Sequence, residues 1–313
     1  MPDQRILVVV DPTADSHPAV QRAAWLAKAY GVPLELFVCD YDQSLASLPR
    51  FDPQSAEQAR RKVLDAHVAK LEALSKPLAA DGLSVDVDAR WARPLHRGIL
   101  EKIAEAKPSL VVKDTHEHAL LRRTLLSNTD WNLIRACPAP LLLVKPRPIG
   151  ASPRVLAAVD PVHEHDKPAE LDHAILAFAA ELVRKVGGEL HVIHAFDTAP
   201  LYAAAADTPL SVPSTPPPEL IAELEARHRK ALDKLLKDTG VGPASVRFED
   251  GAAHLAIAQA AEDERIDFVV MGAVSRSGLE RIFVGSTAER ALDRLPCDLI
   301  VVKRPGFRAP DLD

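Results

Sequence analysis

Apolar residues along this chain gather in short unbroken runs, and between the runs hydrophobic positions recur at helical spacing. The runs come in pairs. RILVVVDP at 5–12 returns as RVLAAVDP at 154–161, and PLELFVCDYD at 33–42 returns as ELHVIHAFD at 189–197. SLVVKDT at 109–115 corresponds to DFVVMGA at 267–273, and APLLLVKPRP at 139–148 to CDLIVVKRP at 297–305. Runs without alternation suit strands buried on both faces of a parallel sheet. Between them, HPAVQRAAWLAKAYG sets Val20, Ala23, Ala24, Ala27 and Tyr30 on one helical face and stops at Gly31. Its counterpart, AELDHAILAFAAELVRKVGG, stops at Gly187-Gly188. Each half reads β-α-β-α-β-α-β-α-β, which predicts an α/β fold of two tandem doubly wound domains, each with a five-stranded parallel sheet. The Pro- and Gly-rich stretch KPRPIGASPR divides them, giving domains 1–149 and 150–313.

The last run of each half, LLLVK and LIVVK, falls at a sheet edge if the strand order is that of a doubly wound sheet. Apolar edges need cover. The expectation is a pseudo-twofold arrangement in which the two edges pair inside one chain, an intrachain pseudo-dimer; the alternative is separate cover by helices or tails. EQARRKVLDAHVAKLEALSKPL and ELIAELEARHRKALDKLLKD read as amphipathic helices with solvated outer faces. TAPLYAAAADTPLSVPSTPPPEL, 198–220, reads as a long structureless insertion. It is either a lid, with Leu201, Tyr202, Leu210 and Val212 over an oily pocket, or a passive loop.

Composition narrows the function classes. A net charge of −6 over 313 residues speaks against a nucleic-acid partner. No apolar run nears the roughly 20 residues of a membrane span, and MPDQRILVVVDP does not read as a signal peptide. Cys39, Cys137 and Cys297 lie far apart, as a reducing compartment permits. The expectation is a cytoplasmic protein without membrane insertion.

The chemistry concentrates in GAVSRSGLERIFVGST, 272–287, between an apolar run and a helical pattern. In an open α/β sheet, ligands sit beyond the strand carboxyl ends where strand order reverses. That brings the ends of the first and fourth strands together, so Asp160 should face the Gly272–Ser286 loop. Glycines let backbone N–H groups approach phosphate oxygens, and a helix N-terminus adds partial positive charge. Ser286 and Thr287 can donate to phosphate or cap the next helix. The bland alternative is a strand end at Gly272 and a helix start at Gly285-Ser286.

These residues resemble the nucleotide-binding signature of the universal stress protein family, Gly-x2-Gly-x9-Gly-[Ser/Thr]. Gly272 matches the first glycine, Ser275 stands in place of the second, and Gly285-Ser286 completes the pattern. RSGLERIFVGSTAERALDRLPCDLIVVK resembles that family's loop, last helix and last strand. HALLRRTLLSNTDWNLIRACPAPLLLVK is similar to the first half of tandem, type-E members. The resemblance implies an adenine-nucleotide alpha-hydrolase-like fold, a stress-linked role and, for some members, ATP with Mg. It also implies that Asp160 sits near ribose or adenine, and that the backbone at Ala195 meets adenine. Serine at 275 departs from the pattern; a required positive φ there would cost about 1 kcal/mol or more.

In the same register the first half places Asp114, Glu117 and Ser127 where the glycines would be. Carboxylates at about 4 Å from phosphate repel it by roughly 1–4 kcal/mol per unit pair. The expectation is that the first half does not bind ATP, with Asp11 capping its own turn. HEH occurs at 116–118 and 163–165 and reads as solvated loop rather than a zinc site. His191 and His194 read as packed strand residues, and Trp25, Trp91 and Trp131 as packing residues. No GxSxG, Walker lysine or Cys/His nucleophile pair is present, so the sequence predicts no enzyme. Three functions remain: an ATP-binding stress protein; a nucleotide-free interaction, scaffold or lipid-like ligand-binding protein; and, distantly, a weak ATPase. A protein partner and a homodimer are compatible with either of the first two.

Overall fold

The computed structural model describes residues 4–47, 53–118, 123–125, 127–162, 169–206, 215–273 and 294–309. The chain forms two compact units, Met1–Pro148 with Arg308–Asp313, and Ile149–Phe307.

In the first unit the order is β1 (Ile6–Val9), α1 (Pro18–Tyr30), β2 (Leu34–Asp40), α2 (Gln43–Ser47), α3 (Pro53–Ala80), β3 (Val85–Trp91), α4 (Leu95–Ala106) and β4 (Leu110–Asp114). A short antiparallel pair follows, β5 (His116–His118) with β6 (Arg123–Leu125), then α5 (Asn128–Ala136) and β7 (Leu141–Val144). The strands lie in the order β7-β4-β1-β2-β3, all parallel. The apolar runs became the central strands: every residue of β1 and β7 is buried, and Leu34, Leu36 and Phe37 of β2 are fully so. The outer strand β3, VDVDARW, is half-exposed and alternates, with charge on the edge where it discourages stray pairing.

The second unit repeats this plan. It runs β8 (Arg154–Ala158), α6 (Ala169–Val186), β9 (Glu189–Phe196), α7 (Ala199–Ala206), α8 (Pro218–Thr239), β10 (Ser245–Asp250), α9 (Ala253–Asp263), β11 (Phe268–Gly272) and β12 (Asp298–Val302). Its strands lie in the order β10-β9-β8-β11-β12, all parallel. Strand order therefore reverses between β1 and β4 in one unit and between β8 and β11 in the other.

The first helices show how local sequence sets the boundaries. Pro18 opens α1, where its missing N–H costs nothing. Val20, Ala23, Ala24 and Ala27 are buried, and Gly31 closes the helix at φ 71°. Gly187 does the same for α6 at φ 73°. With those caps superimposed, α6 extends further toward its N-terminus than α1, and the extra turn carries Leu171 and Asp172.

Two expectations need correction. HEH at 116–118, expected in a loop, forms strand β5 of the antiparallel pair with β6. The segment 198–220 is not structureless: Ala199–Ala206 is helical, since its alanines and Leu201 favour helix, and α8 begins at Pro218. Thr198 is pinned beneath α7 by its N–H and hydroxyl donating to Asp250. Residues 207–214, with Leu210 and Val212, lie outside the described residues.

Candidate ligand site at the strand carboxyl ends

Three of the expected site residues come together in the second unit. Ala158 is level with Met271 of β11 and with Ile193 of β9, so Asp160, Ala195 and Gly272 emerge at one end of three adjacent strands. All three are half-buried. Ser275, Gly285, Ser286 and Thr287 lie outside the described residues, as does the HEH tripeptide at 163–165.

Gly272 has a packing reason to be glycine. A Cβ there would meet Leu171 Cδ2 at 2.6 Å and Cγ at 2.8 Å. Leu171 is buried. The extra turn of α6 thus lays a leucine over the strand end, in space that a side chain at 272 would otherwise occupy. One residue on, Asp172 Oδ1 accepts from the Asp160 N–H at 3.0 Å.

Beside Asp160 lies a buried imidazole pair. His194 Nδ1 is 3.1 Å from the Val159 carbonyl oxygen, and His194 Nε2 is 2.8 Å from His228 Nδ1. The rings stack with centroids 5.1 Å apart, walled by Phe196 and Phe248. Burial holds the His194 pKa below the ordinary imidazole value, against the pull of the Val159 carbonyl and Asp160. His191, also expected to be packed, bonds Ser245 Oγ at 2.7 Å and faces Glu264 at 3.2 Å.

The first unit resolves the same location differently. Asp114 Oδ1 accepts from the Ala19 N–H, in the first turn of α1, at 2.7 Å. A carboxylate thus occupies the end of a helix dipole that a bound anion would use. Burial pushes the Asp114 pKa up to about 6, opposed by the Ala19 N–H and Lys113. Asp11 accepts from the Thr13 N–H and hydroxyl at 2.8 and 2.7 Å, capping its own turn. Ser127 caps α5 in a reciprocal box with Asp130. Beneath this, Lys113 faces Asp130 Oδ1 at 2.8 Å as an off-axis ion pair, both groups buried, and donates to the Asp114 carbonyl at 3.0 Å. Glu117 lies on β5.

Asp172 and His228 escaped the sequence reading, although each left a trace. Asp172 lies three and four residues before Ile175 and Leu176, on the buried stripe of α6. His228 lies four and seven residues before Leu232 and Leu235, on the buried stripe of α8. A polar residue inside an apolar helical stripe needs a partner.

Among the described residues, no group of three or more His, Cys, Asp or Glu side chains is placed to hold a metal ion. No helix among them is long and apolar enough to cross a membrane.

The comparisons agree with this geometry. The profile of the Universal stress protein family matches residues 3–145 and again 153–303. Universal stress protein E of Escherichia coli strain K12 is 28% identical over 308 residues, 98% of this chain and 96% of that protein. The protein of the same name from Photorhabdus laumondii is 26% identical over 309 residues, 98% of this chain and 97% of that one. Among solved structures, a Pseudomonas aeruginosa PAO1 protein of unknown function is similar at 26% identity and TM-score 0.74, covering 97% of this chain and 93% of that one. An Archaeoglobus fulgidus universal stress protein shares the fold at 18% identity and TM-score 0.63, over 97% and 100% of the two chains. Two matched stretches, two units with one strand order and whole-length relatives make this chain a tandem member of the universal stress protein family.

Proposed function

We propose that the second unit binds a small anionic ligand, ATP with Mg, at the carboxyl ends of β8, β9 and β11, and that the chain works as a cytoplasmic stress-response ligand carrier or sensor rather than an enzyme. The observation that carries this reading is the convergence of Asp160, Ala195 and Gly272 where strand order reverses. The half-buried Asp160 carboxylate suits ribose hydroxyls. The strand end at Gly272 lacks the acid that Asp114 puts at the matching place in the first unit. Ser275, Gly285, Ser286 and Thr287 are assigned to the phosphates by the family signature, with Mg neutralising phosphate charge.

ATP titration should give one site per chain. At a hundredfold excess over Kd, ATP should stabilise the protein by about 2.7 kcal/mol, and Gly285→Asp should abolish that gain. Two sites per chain, or a gain that survives Gly285→Asp, would sink the proposal.

Leu171 favours a second reading. Because it fills the space beside Gly272, that glycine is accounted for without a phosphate. On this view the chain is a nucleotide-free interaction or scaffold protein, or takes a lipid-like ligand. Denaturing the purified protein and identifying what is released by mass spectrometry separates the two: adenine nucleotide supports the first, an acyl compound or no ligand the second.

A further inference from the structure

The peptide group joining Val159 to Asp160 is gripped at both polar ends by buried titratable side chains. Its carbonyl oxygen meets His194 Nδ1 at 3.1 Å, and its N–H donates to Asp172 Oδ1 at 3.0 Å. A carbonyl only accepts, so His194 Nδ1 carries the hydrogen, and in a neutral ring Nε2 is left as acceptor. His228 Nδ1, 2.8 Å away, then donates to it. Relative exposure is 0% for Asp172 and 1% for each histidine.

The sheet itself gives up its hold just before this peptide. The Val159 N–H donates to the Ile193 carbonyl at 3.0 Å as a continuation of the ladder. Beyond that point, side chains take over. The first unit is built differently at this register. Val38 stands at the register of His194 and has nothing to donate, while His67 of α3 bonds Asp40 at 2.7 Å instead.

We propose that Asp172, His194 and His228 are positioning residues of the ligand site: they fix the Val159–Asp160 peptide, hold the Asp160 carboxylate ready for ligand, and let go on acidification. This rests on the reading that ligand seats beside Asp160. The charged and titratable groups facing His194 are Asp160 after β8, Asp172 on α6 and His228 on α8, with the Arg229 guanidinium over the neighbouring Phe248 ring of β10. An extra proton on the pair charges a ring almost without solvent, whereas a ring opened to water takes it freely. Acid thus favours the open arrangement and weakens the grip. The grip is therefore complete above the ordinary imidazole value of about 6.5 and fades as pH falls below it.

The test uses the full-length chain, isotopically labelled, without ligand, and reads the protection factor of the Asp160 amide from pH 8 to 5. Asp172→Ala should lower that protection at least tenfold. Asp172→Asn keeps a carbonyl acceptor and should restore it, which separates loss of the bond from loss of the fold. In the unsubstituted protein, protection should fall between pH 6.5 and 5, and His194→Phe should remove that step. Calorimetry with Mg-ATP should show affinity following the same order, about tenfold weaker in Asp172→Ala and recovered in Asp172→Asn. Protection that ignores Asp172→Ala, or a pH step that persists in His194→Phe, overturns the grip. ATP affinity unchanged in Asp172→Ala overturns its positioning role. A chain that shows the amide pattern but binds no ATP counts against the nucleotide reading, not against the grip.

Discussion

The two units share a strand order and end their first helices on glycines of nearly the same φ, yet they differ in which element supplies an acid at the strand carboxyl ends. In the first unit the acid is on the strand: Asp114 of β4 reaches the α1 amide of Ala19. In the second it is on the helix: Asp172 of α6 reaches the Asp160 amide after β8. The partner roles of strand and helix are exchanged. One result is a strand end with a carboxylate over a helix N-terminus; the other is a strand end reduced to glycine. A duplicated sheet keeps its register through buried apolar contacts, while the polar ends of its strands, held by few bonds each, can be rewired by single residues.

The largest expected effect breaks the comparison beneath that acid. Where the first unit has the buried Lys113–Asp130 pair, the second has Met271 and, in the same register, Ala288. Lys113→Met should leave the Asp130 carboxylate buried and uncompensated and destabilise the first unit by about 3–5 kcal/mol. Adding Asp130→Ala should recover most of this, short of the roughly 1 kcal/mol of the α5 cap. Chemical denaturation followed through tryptophan fluorescence, which reports the first unit because Trp25, Trp91 and Trp131 all lie in it, measures both, and equal loss in the single and double variants would contradict the ion-pair account.

A smaller effect should come from giving Gly272 a side chain. Gly272→Ala drives a Cβ into Leu171 and should cost about 1–3 kcal/mol. Combining it with Leu171→Ala should make the two changes non-additive, because the second opens the space the first requires. Additive thermal shifts would mean that Leu171 is not what keeps residue 272 small.

The smallest effect concerns Asp114 and has the opposite sign. Burial raises its pKa to about 6, so the folded protein holds this proton to higher pH than the unfolded chain does. Its contribution to stability is therefore present in acid and is lost as pH rises through about 6. Asp114→Asn keeps the acceptor for the Ala19 N–H and removes the charge. It should stabilise the first unit by on the order of 1 kcal/mol at pH 7.5 and leave stability unchanged at pH 4. A destabilised variant at pH 7.5 would show that the carboxylate's charge, set against the α1 dipole, outweighs its desolvation.

Much of the fold was legible because buried parallel strands advertise themselves as unbroken apolar runs, and VVV at 8–10 or FVV at 268–270 has few other uses. The placement of the candidate site residues was legible in outline for the same reason: Asp160 and Gly272 follow matching runs, and strand order then makes those strand ends neighbours. The helix at Ala199–Ala206 was missed because eight residues of Ala, Leu, Tyr and Pro show no amphipathic face, and Pro-rich flanks suggested a loop. Asp114 was expected only to repel phosphate; its hydrogen bond to an amide 95 residues earlier has no local signature.

By itself, then, the sequence determined the duplication, the strands, the helix stops and the acid that sets the first half apart, because each is written in local pattern or in the likeness of one half to the other. Only the tertiary structure decided that Leu171 lies on Gly272, that Asp172 takes the Asp160 amide and that His194 meets His228. Those meetings depend on how far each helix is shifted along the sheet, and a shift of one helical turn changes every partner without changing the hydrophobic pattern.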